Sequence, residues 1–251
     1  MPARLILSFC LFLMVTTIAS AAHAQGGGVF RSVSSELAQR PRGGVIDLFA
    51  RPNVGVQRSP ADLDNWFWRG VAPDRDAAAP RRMEAAGALA ATGRYTAPSR
   101  ARFLALLAQY RAPLQDAAAA HGLSLPFLMS LVMVESGGAH DAISSAGAVG
   151  LTQLMPATAE LMQVADAADP RDNVMGGARY LSQMLMAHDG DAVLALAAYN
   201  AGPGAVARAG GVPLYAETRA YVPRVLAAWH VARQLCETPP VSATGPCEIR
   251  G

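Results

Sequence analysis

The stretch Leu131–Pro156, LVMVESGGAHDAISSAGAVGLTQLMP, sets one acid, Glu135, at the end of a strongly apolar run and follows it with a glycine-punctuated turn. Just upstream, Pro126–Val134 contains a single polar residue, Ser130. A run this apolar on every side reads as a helix buried on every side. Ser124 is its candidate N-cap, and Pro126 falls in the first turn, where a missing N–H costs nothing. Glu135 occupies the last turn, and Gly137–Gly138 end the helix. A carboxylate there faces the negative end of the helix dipole, and apolar neighbours oppose its charge further. Both effects favour the protonated acid, which is the form that general acid catalysis of glycosidic cleavage requires. A solvated glutamate at a helix end is the plainer reading of position alone.

Working outward, Phe103, Leu104, Leu106, Leu107 and Tyr110 recur at helical spacing, as do Leu114 and Ala118 in a following segment closed by His121–Gly122. Downstream, Thr158–Val164 continues a helix begun at Pro156. Asp172 or Asn173 caps another, with Val174, Tyr180, Leu181, Met184 and Leu185 on its buried side. Asp191 caps a helix through Val193, Leu194, Leu196 and Ala197 that ends at Tyr199–Gly204. Glu217–Leu235 is the last long helix, and its Pro223 is tolerated if the true first turn starts there. Strand-like alternation is nearly absent, so an all-α domain is expected, with a small hairpin around Ser144 as the one exception allowed.

Several blocks in order carry a resemblance: Glu135–Ser136, Ala142–Ser144, Gly147–Pro156, Asp169–Pro170, Asn173, Gly176–Leu181, Ala197–Gly204 and Glu217–Val222. Together they resemble the soluble lytic transglycosylases, relatives of goose-type lysozyme, over roughly Ser124–Leu226. The resemblance implies a lysozyme-like helical catalytic domain acting on peptidoglycan glycan strands without a cofactor or metal. It implies cleavage of the bond between N-acetylmuramic acid and N-acetylglucosamine with a 1,6-anhydro product, and it makes Glu135 both acid and base. Hydrolysis of the same bond, with Asp141 or another acid as base, and a non-catalytic glycan-binding role are the alternatives.

The resemblance also places Ser144, Gln153, Tyr199, Asn200, Glu217 and Tyr221 around the substrate, with Tyr199 positioning the acid and Glu217 adding a second carboxylate. Each of the first three and Glu217 has a plain alternative: Ser144 caps a turn, Gln153 closes the approach to the next helix, Tyr199 is core, and Glu217 is an acid favoured at a helix N-terminus. Thr152 departs from the family, which usually has Met there, and this bears on the shape of one subsite.

The remainder of the chain frames this domain. With 251 residues, 52% of them hydrophobic, and a net charge of +2, the chain is long enough for one well-buried domain and carries no electrostatic footprint for nucleic acid. Residues 1–24 have Arg4, an apolar core from Leu5 to Val15 and small residues ending at Ala24, the pattern of a secretory signal peptide rather than a permanent membrane anchor. Export to the periplasm follows, and Cys10 is lost with the leader. Cys236 and Cys247 then form an even pair in an oxidising compartment, read as a disulfide in the tail 236–251; two free thiols on a mobile tail are the alternative.

Residues 25–98 show no sustained period and read as an extended arm, with Trp66-Phe67-Trp68 either docking it onto the domain or binding sugar or a partner. A cell-envelope-spanning machine is one such partner. Arg81–Ala91 allows one short helix in the arm, and the catalytic domain is expected over 99–235, complete without the arm.

Overall fold

The computed structural model describes residues 66–79, 81–92 and 95–250. After helical turns at 66–70 and Arg75–Ala77 come α1 (Arg82–Ala90), α2 (Arg100–Ala120), α3 (Leu125–Glu135) and α4 (Pro156–Leu161). They are followed by α5 (Pro170–Ala187), α6 (Ala192–Ala201), α7 (Pro203–Ala209), α8 (Ala216–Ala232) and a 3-10 turn at Arg233–Leu235. β-pairing among the described residues is confined to isolated bridges, two of them, Ile143 to Val149 and Val149 to Leu154, in the turn around Ser144. The class is all-α.

Every residue of α3 is buried, as its all-round apolar sequence requires. It packs against α2 and α8, while α8 also covers α1 and α6, and α5 lies between α2 and α6. Ser99 accepts from the Arg102 N–H to cap α2, and Asp191 accepts from the Leu194 N–H to cap α6. The two segments read before His121 meet at a kink within α2: Tyr110 leaves helical geometry at φ −128°, ψ 28°, three residues before Pro113.

Three local expectations are corrected. The cap of α5 is Asp169, which accepts from the N–H groups of Arg171 and Asp172, because Pro170 takes the first helical position; Asp172 and Asn173 already lie inside the helix. Helix α4 stops at Leu161, since Gln163 turns to φ 55° and the Val164 N–H folds back to the Ala159 carbonyl. Pro223 lies within α8, whose first turn starts at Ala216.

The larger correction concerns the arm. Its portion 25–65 lies outside the described residues, as do 1–24 with Cys10, but 66–79 and 81–92 dock on the domain and give the core Phe67, Trp68, Val71, Met83, Ala86 and Ala90. Phe67 and Met83 are fully buried. A Cβ on Gly87 would sit 2.9 Å from the Trp229 ring, so only glycine lets α1 lie this close to α8. Arg82 pairs with the buried carboxylate of Asp191, and Arg233 with Glu84 at 2.8 Å. Backbone bonds join Arg75 N to Gly210 O and Val212 N to Pro73 O, both at 2.9 Å. These short pieces dock through individual side chains and bonds, so they have no periodic signature. The core therefore includes Phe67, well before Ser99.

At the other end, Cys236 and Cys247 are disulfide-bonded with their Cα atoms 5.1 Å apart. The tail turns back so that Arg250 N bonds Leu235 O, and Ala243 O accepts from Ser124 N. Ser124 thus stands at the N-cap of α3 without a side-chain cap bond. No helix among the described residues is long and apolar enough to cross a membrane.

Candidate active site

Glu135, the last residue of α3, is 5% exposed. The Tyr221 hydroxyl, arriving from α8, donates to its Oε1 at 2.5 Å. Burial pushes the Glu135 pKa from the ordinary 4.5 up to about 8; the Tyr221 hydrogen bond opposes that rise and the nearby Glu217 charge adds to it. The group is neutral at pH 7. Since Oε1 accepts the phenol proton, the carboxyl's own proton belongs on Oε2. Burial first, and then the Glu135 charge, hold the Tyr221 phenol well above its ordinary pKa, so it remains a donor.

The loop after α3 folds back on the end of the helix that carries the acid. Ser136 Oγ donates to Leu151 O at 2.9 Å, tying the helix end to the loop. Asn173 on α5 is the loop's main anchor: Oδ1 accepts from Thr152 N (2.8 Å) and Thr152 Oγ1 (2.7 Å), while Nδ2 donates to Val149 O (2.9 Å) and Ala167 O (2.8 Å). Gly150 is required here twice over, by its φ of +80° and because a Cβ would lie 2.3 Å from Asn173 Nδ2. Ser144 Oγ accepts from Ala148 N at 2.9 Å, capping the turn. The Gln153 amide donates to Ala142 O (3.1 Å) and Gly150 O (2.9 Å), bracing the same turn. Thr152 is fully buried, and its hydroxyl is spent on Asn173.

Helices α6 and α8 bring Tyr199, Glu217 and Tyr221 near the acid. Tyr199 is half-buried, and its hydroxyl donates to Thr152 O at 2.9 Å rather than to Glu135. Asn200 donates to Glu217 Oε1 at 3.2 Å and accepts from Thr218 Oγ1 at 2.7 Å, which fixes its amide orientation. Asp141 is exposed. Glu217 is the carboxylate whose charge reaches Glu135.

Residues 112–221, which contain all of these groups, match the family model described as the transglycosylase SLT domain. This segment is similar to a transglycosylase SLT domain. The chain is 42% identical over 86 residues to the transglycosylase of Enterobacteria phage PRD1, a match covering 34% of this chain and 32% of that protein. It is 35% identical over 104 residues to membrane-bound lytic murein transglycosylase F 1 of Alkalilimnicola ehrlichii, covering 39% of this chain and 21% of that one. Its fold is similar to the inactive Glu→Gln mutant of lytic transglycosylase Slt from Pseudomonas aeruginosa, with a TM-score of 0.51 and 30% identity over 70% of this chain and 33% of that one. The chain thus spans a third or less of the length of these proteins.

Within residues 112–221, the sequence-predicted residues converge on one region but divide the work differently. Tyr221, expected beside the substrate, is 1% exposed and holds the acid, the part expected of Tyr199. Ser136 and Asn173 were not singled out as site residues. Asn173 sits three residues after the Pro that opens α5, and the burial that gives it this role is set by packing and not by that spacing. Among the described residues no cluster of three or more His, Cys, Asp or Glu is placed to hold a metal.

Proposed function

We propose that this chain is a peptidoglycan lytic transglycosylase, cleaving the β-1,4 bond between N-acetylmuramic acid and N-acetylglucosamine and leaving 1,6-anhydro ends. The observation that carries the reading is Glu135, a glutamic acid kept neutral by burial at the centre of an SLT domain. Glu135 passes the proton on Oε2 to the glycosidic oxygen as the bond to the muramoyl C1 breaks. The muramoyl 6-hydroxyl then attacks C1 and gives its proton to the carboxylate. One group serves both transfers, and the Tyr221 hydrogen bond, stronger to a carboxylate than to a neutral acid, stabilises the form that acts as base. Ser144, Gln153, Asn200 and Glu217 line the path of the glycan strand, with Asn200 and Glu217 the better presented because both are only half-buried.

Glu135→Gln keeps the side chain's shape and removes the transferable proton. Lysis of purified cell walls should fall by at least about 10²-fold with the helical spectrum unchanged. The similar Slt protein bears an inactivating Glu→Gln change, which supports the choice of substitution. A loss of less than tenfold would remove Glu135 from this role. Analysis of the released sugar ends decides between anhydro products and hydrolysis. We further propose that residues 1–24 direct export and that the enzyme works in the periplasm, with residues 25–65 available to a cell-envelope assembly. The N-terminus of protein recovered from the periplasmic fraction, expected at Gln25, tests the first point.

A further inference from the structure

Helix α8 has two duties. Its first turns deliver Glu217, Thr218 and Tyr221 to the site, and its remainder is buried in the core. Pro223 stands between the two parts. Its nitrogen has no proton for the Arg219 carbonyl, and its ring presses on that same carbonyl, so the turn bearing Tyr221 loses one of the bonds that fix it to the rest of the helix. The bond is replaced from 151 residues away: Trp68 Nε1–H donates to Arg219 O at 3.0 Å. The indole is itself held, with the Phe67 ring edge-on at 4.8 Å and the Arg219 guanidinium 5.2 Å from its centre. Arg219 is two residues from both Glu217 and Tyr221, so its side chain and Trp68 lie on the side of α8 roughly opposite the acid.

We infer that Trp68 is a positioning residue for Glu135: its indole N–H replaces the helix bond deleted by Pro223 and so fixes the turn that carries Tyr221 to the acid. Trp68 lies outside residues 112–221, so the SLT domain receives this support from the segment before it. The inference rests on Glu135 being the catalytic acid, but its test has a readout that needs no activity.

The titratable groups facing Glu135 are Tyr221 and Glu217 from α8 and Tyr199 from α6, and a substitution at Trp68 replaces none of these side chains. Trp68→Phe keeps the ring and removes the donor. If the Tyr221 contact slackens, less opposes the effect of burial and Glu135 holds its proton to higher pH. Two measurements then move together: the alkaline limb of wall lysis, and the pH at which the difference in melting temperature from the matching Glu135→Gln variant levels off. Both shift upward, in the direction given by Tyr221→Phe, and kcat falls about fivefold, the worth of one ordinary hydrogen bond, with KM changed less than about twofold.

Pro223→Ala added to Trp68→Phe supplies a backbone N–H to Arg219 O and returns both values toward those of the unmodified protein. Replacing Trp68 with 3-benzothienylalanine, which has the bulk of indole but sulfur in place of N–H, gives the same shift if Trp68→Phe does not fold. A melting temperature lowered by these changes with both pH values unmoved overturns the inference and leaves Trp68 a purely structural residue. Wall lysis that survives Glu135→Gln instead sinks the catalytic reading, a separate outcome.

Discussion

Glu135→Gln should stabilise the protein, and by an amount set by pH. Between pH 4.5 and about 8 the folded chain retains a proton on Glu135 that the unfolded chain has released. Stability therefore falls through that window by about 1.4 kcal/mol per pH unit from this group alone. The sign is that of an acid whose pKa is raised by folding: nothing is lost below 4.5, and the loss is complete above about 8. At pH 7 the accumulated cost is about 3 kcal/mol, with roughly 4 to 5 kcal/mol as the ceiling at higher pH.

Glutamine has no proton to release and can still accept from Tyr221, so its cost does not depend on pH. For a chain of this size about 3 kcal/mol corresponds to roughly 6 to 12 °C in Tm. Thermal melts of the two proteins from pH 4.5 to 9 should show the difference in Tm, Gln minus Glu, widening by about that much up to pH 7 and levelling off above 8. The buried His188 and the partly buried His121 and His230, each lowered by burial first, titrate in both proteins and cancel in the difference. A difference that stays constant with pH, or narrows, refutes the claim that burial holds this acid neutral.

Tyr221→Phe removes the bond that opposes the rise, so the alkaline limb of wall lysis should move above about pH 8 while kcat drops; a limb moving down would contradict the assigned donor. Phe67→Ala should cost about 3 to 5 kcal/mol in a denaturant melt, because the ring is fully buried. Deletion through Thr96 should abolish the folded, active domain, and an active truncated protein would restore the boundary at Ser99. Cys236→Ser with Cys247→Ser should lower stability by roughly 3 kcal/mol in the chain-entropy account of a loop with a sequence separation of 11, with wall lysis nearly unchanged.

Much of the fold was legible because its signals are local. The all-apolar α3, the Asp191 cap, and the glycines after Glu135 each express a preference decided within one or two turns of chain. The apolar run before Glu135 marked it as a candidate for the same reason, but position alone left a solvated glutamate the plainer reading, and the ordered blocks from Glu135 to Val222 gave it the acid's role. What spacing did not encode is which distant groups meet. Tyr221 reaches Glu135 across 86 residues, and Asn173 fastens a loop more than twenty residues earlier in the chain. Trp68 supplies a helix bond that Pro223 cannot. Such contacts depend on how helices pack and on which buried polar groups would otherwise lack partners. Residues 66–92 show this most plainly: their Gly and Pro breaks and short segments give no periodic signal, and their place in the core is decided by a fully buried Phe67, the Arg82 pairing with Asp191 and the indole bond to Arg219, none of which exists before the chain has folded.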